Sequence, residues 1–195
     1  MLAILVGIKG SGKTTLMKKI LEKKPDIKHI VAGDYFAEYY KQKGLKRDEG
    51  DKGVDSSEHF KIQREVFKKI KKEAKKYENV IVDTHAFLTK KEGFYPGLPM
   101  FVLEELKPDA LIALEYKPEE ILKRREKDVK ELGRERSAAV TLEGVKLEYE
   151  VQRYYLFAAS AMIGCTVKLL QRFEPEKYEF EHLDKNVEEL LEIFD

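Results

Sequence analysis

With 195 residues, 43% of them hydrophobic, the chain has the length of one domain that buries its core without cross-links. Its 37 Lys and Arg against 36 Asp and Glu leave a net charge of +1, which excludes the global positive field of a nucleic-acid binder. A single cysteine excludes an internal disulfide and suits a reducing, cytoplasmic compartment, and no apolar run reaches membrane-spanning length.

The first element is the apolar run Leu2-Ala3-Ile4-Leu5-Val6, read as a strand because no basic region precedes it as in a signal peptide. A glycine-rich turn follows, then a helix from Lys13 to about Lys24, stopped by Pro25. His29 to Ala32 is a second short strand, and Asp34 to Gln42 is helical. The polar stretch 44–57, with Gly44, Gly50 and Gly53, reads as a connection. A long basic helix runs from Ser57 to about Tyr77, its Phe60, Val66, Phe67 and Ile70 at helical spacing. Its lysine run is a solvated face.

Val80-Ile81-Val82-Asp83 is a buried strand that ends in a carboxylate. Gly93 to Pro99 reads as a loop and Met100 to Leu106 as a helix. Ala110 to Leu114 is the fourth strand, and Pro118 opens the next helix from its first position. Charge replaces apolar periodicity over 130–137. Leu142 to Met162 is a long helix, Thr166 to Leu170 the fifth strand, and Leu183 to Phe194 a closing helix. Cys165, after Gly164 in an apolar stretch, reads as a small buried residue. Strands alternating with helices predict an α/β fold: a three-layer sandwich with a five-stranded parallel sheet and helices on both faces.

Gly7-Ile8-Lys9-Gly10-Ser11-Gly12-Lys13-Thr14 fits G-x-x-x-x-G-K-[ST] in full. Glycines let the backbone curl with its N–H groups toward phosphate oxygens, and the following helix adds its positive end. The expected binding segment is therefore Gly7 to Thr15, with Lys13 on the β- and γ-phosphates and Thr14 on Mg²⁺. This is a nucleoside triphosphate site of the P-loop NTPases. Asp83, at the end of a buried strand, is the second Mg²⁺ candidate; capping of a turn is its structural alternative. His85 is a candidate for an acceptor phosphate or a histidine bonded to backbone. Phosphoryl transfer needs cations around the moving group, and Arg124, Arg125, Arg134, Arg136 and Arg153 are available. Most of them flank or occupy 130–137, which suits a short lid over residues 129–138. Solvated surface arginines are the alternative.

Several further segments resemble the archaeal-type adenylate kinases. They are Gly33-Asp34, Val82-Asp83-Thr84-His85, Tyr95-Pro96-Gly97-Leu98-Pro99, Val102 to Asp109, and Gly164 with Thr166-Val167-Lys168. The resemblance covers most of the chain. It implies ATP and AMP as substrates, two ADP as products, Mg²⁺ as the ion, and a homotrimer as the assembly. It implies that Gly33 and Asp34 open a monophosphate-binding segment over residues 34–77, which includes Arg64. It also implies that Arg124, Arg134, Arg136 and Arg153 line the transfer site. The chain departs from the family pattern at Gly50-Asp51-Lys52, where the family usually carries Met-Arg-Lys. That departure motivates a second function class, an adenylate-kinase-like ATPase switch or RNA-processing accessory. A small-metabolite kinase, the third, fits the phosphate loop but not the segments 95–99 and 102–109.

Overall fold

The computed structural model describes residues 1–44, 54–132 and 140–194. Its parallel sheet is built from β1 (Leu2–Gly7), β2 (Lys28–Val31), β3 (Val80–Asp83), β6 (Ala110–Tyr116) and β7 (Thr166–Arg172). The spatial order is β2-β3-β1-β6-β7, all neighbours parallel. β1 therefore sits at the centre, with Leu5 beside Asp83 on one side and Ile112 on the other. The central strands β1, β3 and β6 are largely apolar on both faces because both faces are covered.

Alternation along β1 divides the core. Ile4 and Val6 face one layer, with α2 (Ala32–Gln42), α3 (Ser56–Ala74) and α4 (Met100–Leu106). Ala3 and Leu5 face the other, with α1 (Lys13–Lys23), α5 (Pro118–Leu132) and α7 (Glu181–Leu191). The long α6 (Leu142–Ile163) serves both: Val145 and Tyr149 pack in the second layer, Leu156 and Ala159 in the first. This is the expected α/β sandwich.

Local chemistry sets the element ends. Asp55 caps α3 by accepting from the Glu58 N–H at 2.9 Å, and Thr141 caps α6 by accepting from the Gly144 N–H at 3.1 Å. Gly164 ends α6 at φ 72°, where a glycine avoids the Cβ penalty of the left-handed region.

The structure corrects one expectation. Residues 87–96 hold an antiparallel hairpin, β4 (Phe87–Lys90) with β5 (Gly93–Pro96), where Gly93–Pro99 was expected to be loop throughout. The Phe87 and Phe94 rings meet edge to face at 5.0 Å and hold it together. Gly97 then passes so close to residue 85 that a Cβ there would lie 2.1 Å from the His85 carbonyl oxygen. The expected lid arginines Arg134 and Arg136, and the departure at residues 50–52, lie outside the described residues.

Candidate active site

The loop between β1 and α1 leaves the C-terminal end of the central strand, where open α/β sheets place their ligands. Gly10 and Gly12 take φ values of 88° and 80°, which L side chains rarely adopt. A Cβ on Gly7 would meet the Ser11 hydroxyl at 2.4 Å, so glycine lets the Ser11 side chain pack against the start of the turn. Gly12 is the N-cap of α1 and makes no side-chain cap hydrogen bond, and no acidic residue stands in the first turn. The opening N–H groups of an α-helix have no partner within the helix. Those of Lys13, Thr14 and Thr15 thus stand at a positive helix end with no acidic side chain in their own turn.

Lys13 is held inward. Its Nζ donates to the Gly7 carbonyl at 3.1 Å and lies 3.6 Å from Asp83 Oδ1. Burial pulls its pKa down, and the Asp83 carboxylate works against that pull. The other Asp83 oxygen lies 3.8 Å from His29 Nε2. Asp83 reaches this place because β3 pairs with β1 in register, which sets its carboxylate at the loop's base. Thr14 is exposed on the first turn of α1.

His85 Nδ1 lies 3.3 Å from the same Gly7 carbonyl. A carbonyl only accepts, so Nδ1 carries the proton in that bond. Burial and the Lys13 ammonium push the imidazole down to about 3 and keep it neutral. This geometry supports the backbone-bonded alternative for His85 over a phosphate contact.

The arginines divide into distinct environments. Arg124 on α5 lies with its guanidinium 4.3 Å above the Tyr116 ring, and its Nη1 reaches the Gly10 carbonyl at 3.4 Å. Tyr116 is itself held: Asn186 Nδ2 donates to its hydroxyl at 2.9 Å, and its N–H donates to the Tyr149 hydroxyl at 3.0 Å. Arg125 is buried, donating from Nε to the Lys9 carbonyl at 2.8 Å and from Nη2 to Glu148 at 2.6 Å. It touches the back of the phosphate loop. Arg153 on α6 forms a two-point pair with Glu115 at 2.8 and 2.6 Å, and that carboxylate also accepts from Gln171 at 2.7 Å. Glu115 lies near the C-terminal end of β6, so Arg153 is anchored at the loop's end of the sheet.

On the acceptor side, Gly33 and Asp34 lie in the first turn of α2, Asp34 exposed. An acid there also suits the helix dipole. Arg64 on α3 is exposed and lies over the Phe60 and Phe101 rings, at 5.9 and 5.6 Å. His59 on α3 is fully buried, stacked on Phe36 at 5.9 Å, and burial pushes its pKa down to about 4.

Sequence reasoning missed Glu148, Glu115 and Tyr116. One signal was readable: Glu148 falls on the buried stripe of α6 between Val145 and Gln152, where an unpaired carboxylate is costly.

Residues 6–143 match the family model described as an AAA domain. The chain is 36% identical over 193 residues to an adenylate kinase of Pyrobaculum aerophilum, covering 97% of this chain and 94% of that protein. It is 35% identical over 196 residues to an adenylate kinase of Methanocaldococcus jannaschii, covering 97% and 96%. Among solved structures, shikimate kinase from Bacteroides thetaiotaomicron superposes with a TM-score of 0.61 at 15% identity, over 100% of this chain and 98% of that one. That likeness concerns the fold alone. A phosphate-binding loop at the head of a parallel sheet, joined to near full-length similarity to archaeal adenylate kinases, establishes that the chain belongs to the adenylate kinase family of P-loop phosphotransferases.

Proposed function

We propose that the chain transfers the γ-phosphoryl group of ATP to AMP and forms two ADP, with Mg²⁺ as the companion ion. The observation that carries this reading is the uncapped start of α1 beside a buried lysine and a strand-end carboxylate. The donor set suits the ion: an exposed hydroxyl on Thr14 and the Asp83 carboxylate are hard oxygen ligands. Thr14 and Asp83 would hold Mg²⁺, which when bound neutralises charge on the phosphate oxygens.

The chain's own groups do the remaining work. The α1 N–H groups and those of Gly7 to Thr15 bind the triphosphate, and Lys13 exchanges its contact with the Gly7 carbonyl for phosphate oxygen. Arg124, held over Tyr116 at the loop's rim, balances charge on the moving group. Arg153, Arg134 and Arg136 are assigned to the same task by family resemblance. Gly33, Asp34 and Arg64 are assigned to the AMP side on the same ground, with His85 supporting the loop from below. We also carry over the homotrimer as the assembly. The outer face of α6 supports self-association, with Leu147, Tyr154, Phe157 and Met162 exposed.

An acceptor screen with ATP and AMP, CMP, GMP or UMP tests the assignment. ADP should form fastest with AMP. Transfer to another monophosphate with none to AMP would overturn the choice of acceptor. ATP hydrolysis without any acceptor dependence would favour the ATPase-switch reading, which the departure at Gly50-Asp51-Lys52 motivates.

A further inference from the structure

Arg125 performs no evident task at the phosphoryl group, yet it is 4% exposed and bonded at two points. Its Nε holds the Lys9 carbonyl at 2.8 Å, while Nη2 holds Glu148 Oε2 at 2.6 Å. Both charges are buried, Glu148 at 7%. A buried arginine–carboxylate pair is weak evidence for stability, since desolvation offsets most of the attraction. Its direction is therefore more informative than its strength.

The peptide unit is planar and trans, so the Lys9 C=O and the Gly10 N–H point opposite ways. Fixing the carbonyl toward α5 turns the Gly10 N–H away from α5. Gly10, at φ 88°, has the backbone freedom to accept that orientation. Its Cα also packs against the brace: a Cβ there would lie 3.5 Å from Arg125 Cγ and 3.6 Å from the Ile121 carbonyl oxygen. We infer that the Arg125–Glu148 couple is a positioning device, which sets the Gly10 N–H as a phosphate donor. It also ties that donor to the start of α6. Glu148 lies two turns into α6 and Arg125 on α5, so these two helices are clamped to one loop peptide.

This inference rests on the reading that the loop binds donor phosphates, and affinity for a non-hydrolysable ATP analogue, β,γ-imido-ATP, tests it without reference to the acceptor. Titration of Arg125→Lys, which keeps the charge but loses the two-point fork, should show roughly tenfold weaker analogue binding, the worth of one charge-assisted hydrogen bond. The KM for AMP should stay within about twofold. In ¹H–¹⁵N spectra the Gly10 amide should shift on analogue addition in the wild-type protein and shift less in the variant. Should Arg125→Lys fold poorly, Glu148→Gln is the second variant, with an expected loss of two- to threefold. Unchanged analogue affinity in a folded variant would overturn the inference. So would parallel losses of analogue and AMP affinity that track a fall in Tm, the mark of a purely structural pair. Failure of the wild-type protein to bind the analogue would overturn the phosphate site itself, and this inference with it.

Discussion

Lys13 and His85 converge on one acceptor, the Gly7 carbonyl. Lys13→Ala removes a charge needed mainly as the phosphoryl group moves. The rate of transfer should fall by at least about a hundredfold, as for other preorganised donors, while thermal melting shows a folded protein. Near-normal turnover would sink the site. His59 gives a pH prediction with a definite sign. It is buried and held at about 4, below the unfolded value near 6.5. The unfolded chain therefore binds more protons between those values, so stability is full above about pH 6.5 and falls as pH drops toward about 4. The loss from this group is about 3 kcal/mol at most. Urea titrations at pH 7 and pH 4.5 should show that His59→Phe has a smaller acid loss than wild type. Equal losses would show that other groups govern acid sensitivity. His59 was not legible as a buried group from its own stretch of α3. Burial of a polar ring depends on Phe36 and Tyr95, which arrive from other elements.

Among elements, the β4–β5 hairpin shows where reading by punctuation fails. Gly93, Pro96 and Pro99 looked like loop signals, yet Pro96 ends a strand in a two-stranded ribbon where a missing N–H is tolerated. The ribbon is bound to the site through Gly97, whose N–H donates to the Ala86 carbonyl at 2.9 Å. Gly97→Ala would force a Cβ into the His85 carbonyl and push apart the segment that carries the imidazole. The expected cost is roughly 3 kcal/mol, the upper part of the overpacking range, with a Tm fall of about 6–12 °C. Differential scanning calorimetry reads it. A Tm within about 2 °C of wild type would show that the hairpin yields freely. Strands and helices elsewhere fell close to their expected bounds, because periodicity and proline punctuation both reflect local backbone chemistry. The phosphate loop was legible for the same reason: all the residues of its motif lie in one short run. Glu148 and Tyr116 were not, since Glu148 meets Arg125 only across two packed helices and Tyr116 meets Arg124 only where α5 folds over the end of β6.

For the whole molecule, the alternation of strands and helices predicted the sandwich, but not the strand order, which sequence periodicity does not encode. Surface chemistry at this scale bears on assembly. Tyr154 is 71% exposed on the outer face of α6, beside Phe157 and Met162. Sedimentation velocity should find a trimer at micromolar protein, and Tyr154→Glu should shift it toward monomer; a wild-type monomer at all concentrations would remove the homotrimer. The central position of β1 has one further consequence, which concerns time. The phosphate loop follows β1, yet that strand is flanked by Val80–Asp83 and Ala110–Leu114, far along the chain from it. Parallel pairings between such distant segments form slowly, because loop closure precedes any gain from contact. Nucleotide-binding competence should therefore be a late event in refolding. A fluorescent ADP analogue should report it after helical circular dichroism has recovered, so that a segment synthesised before both of its flanking strands is among the last to acquire its function.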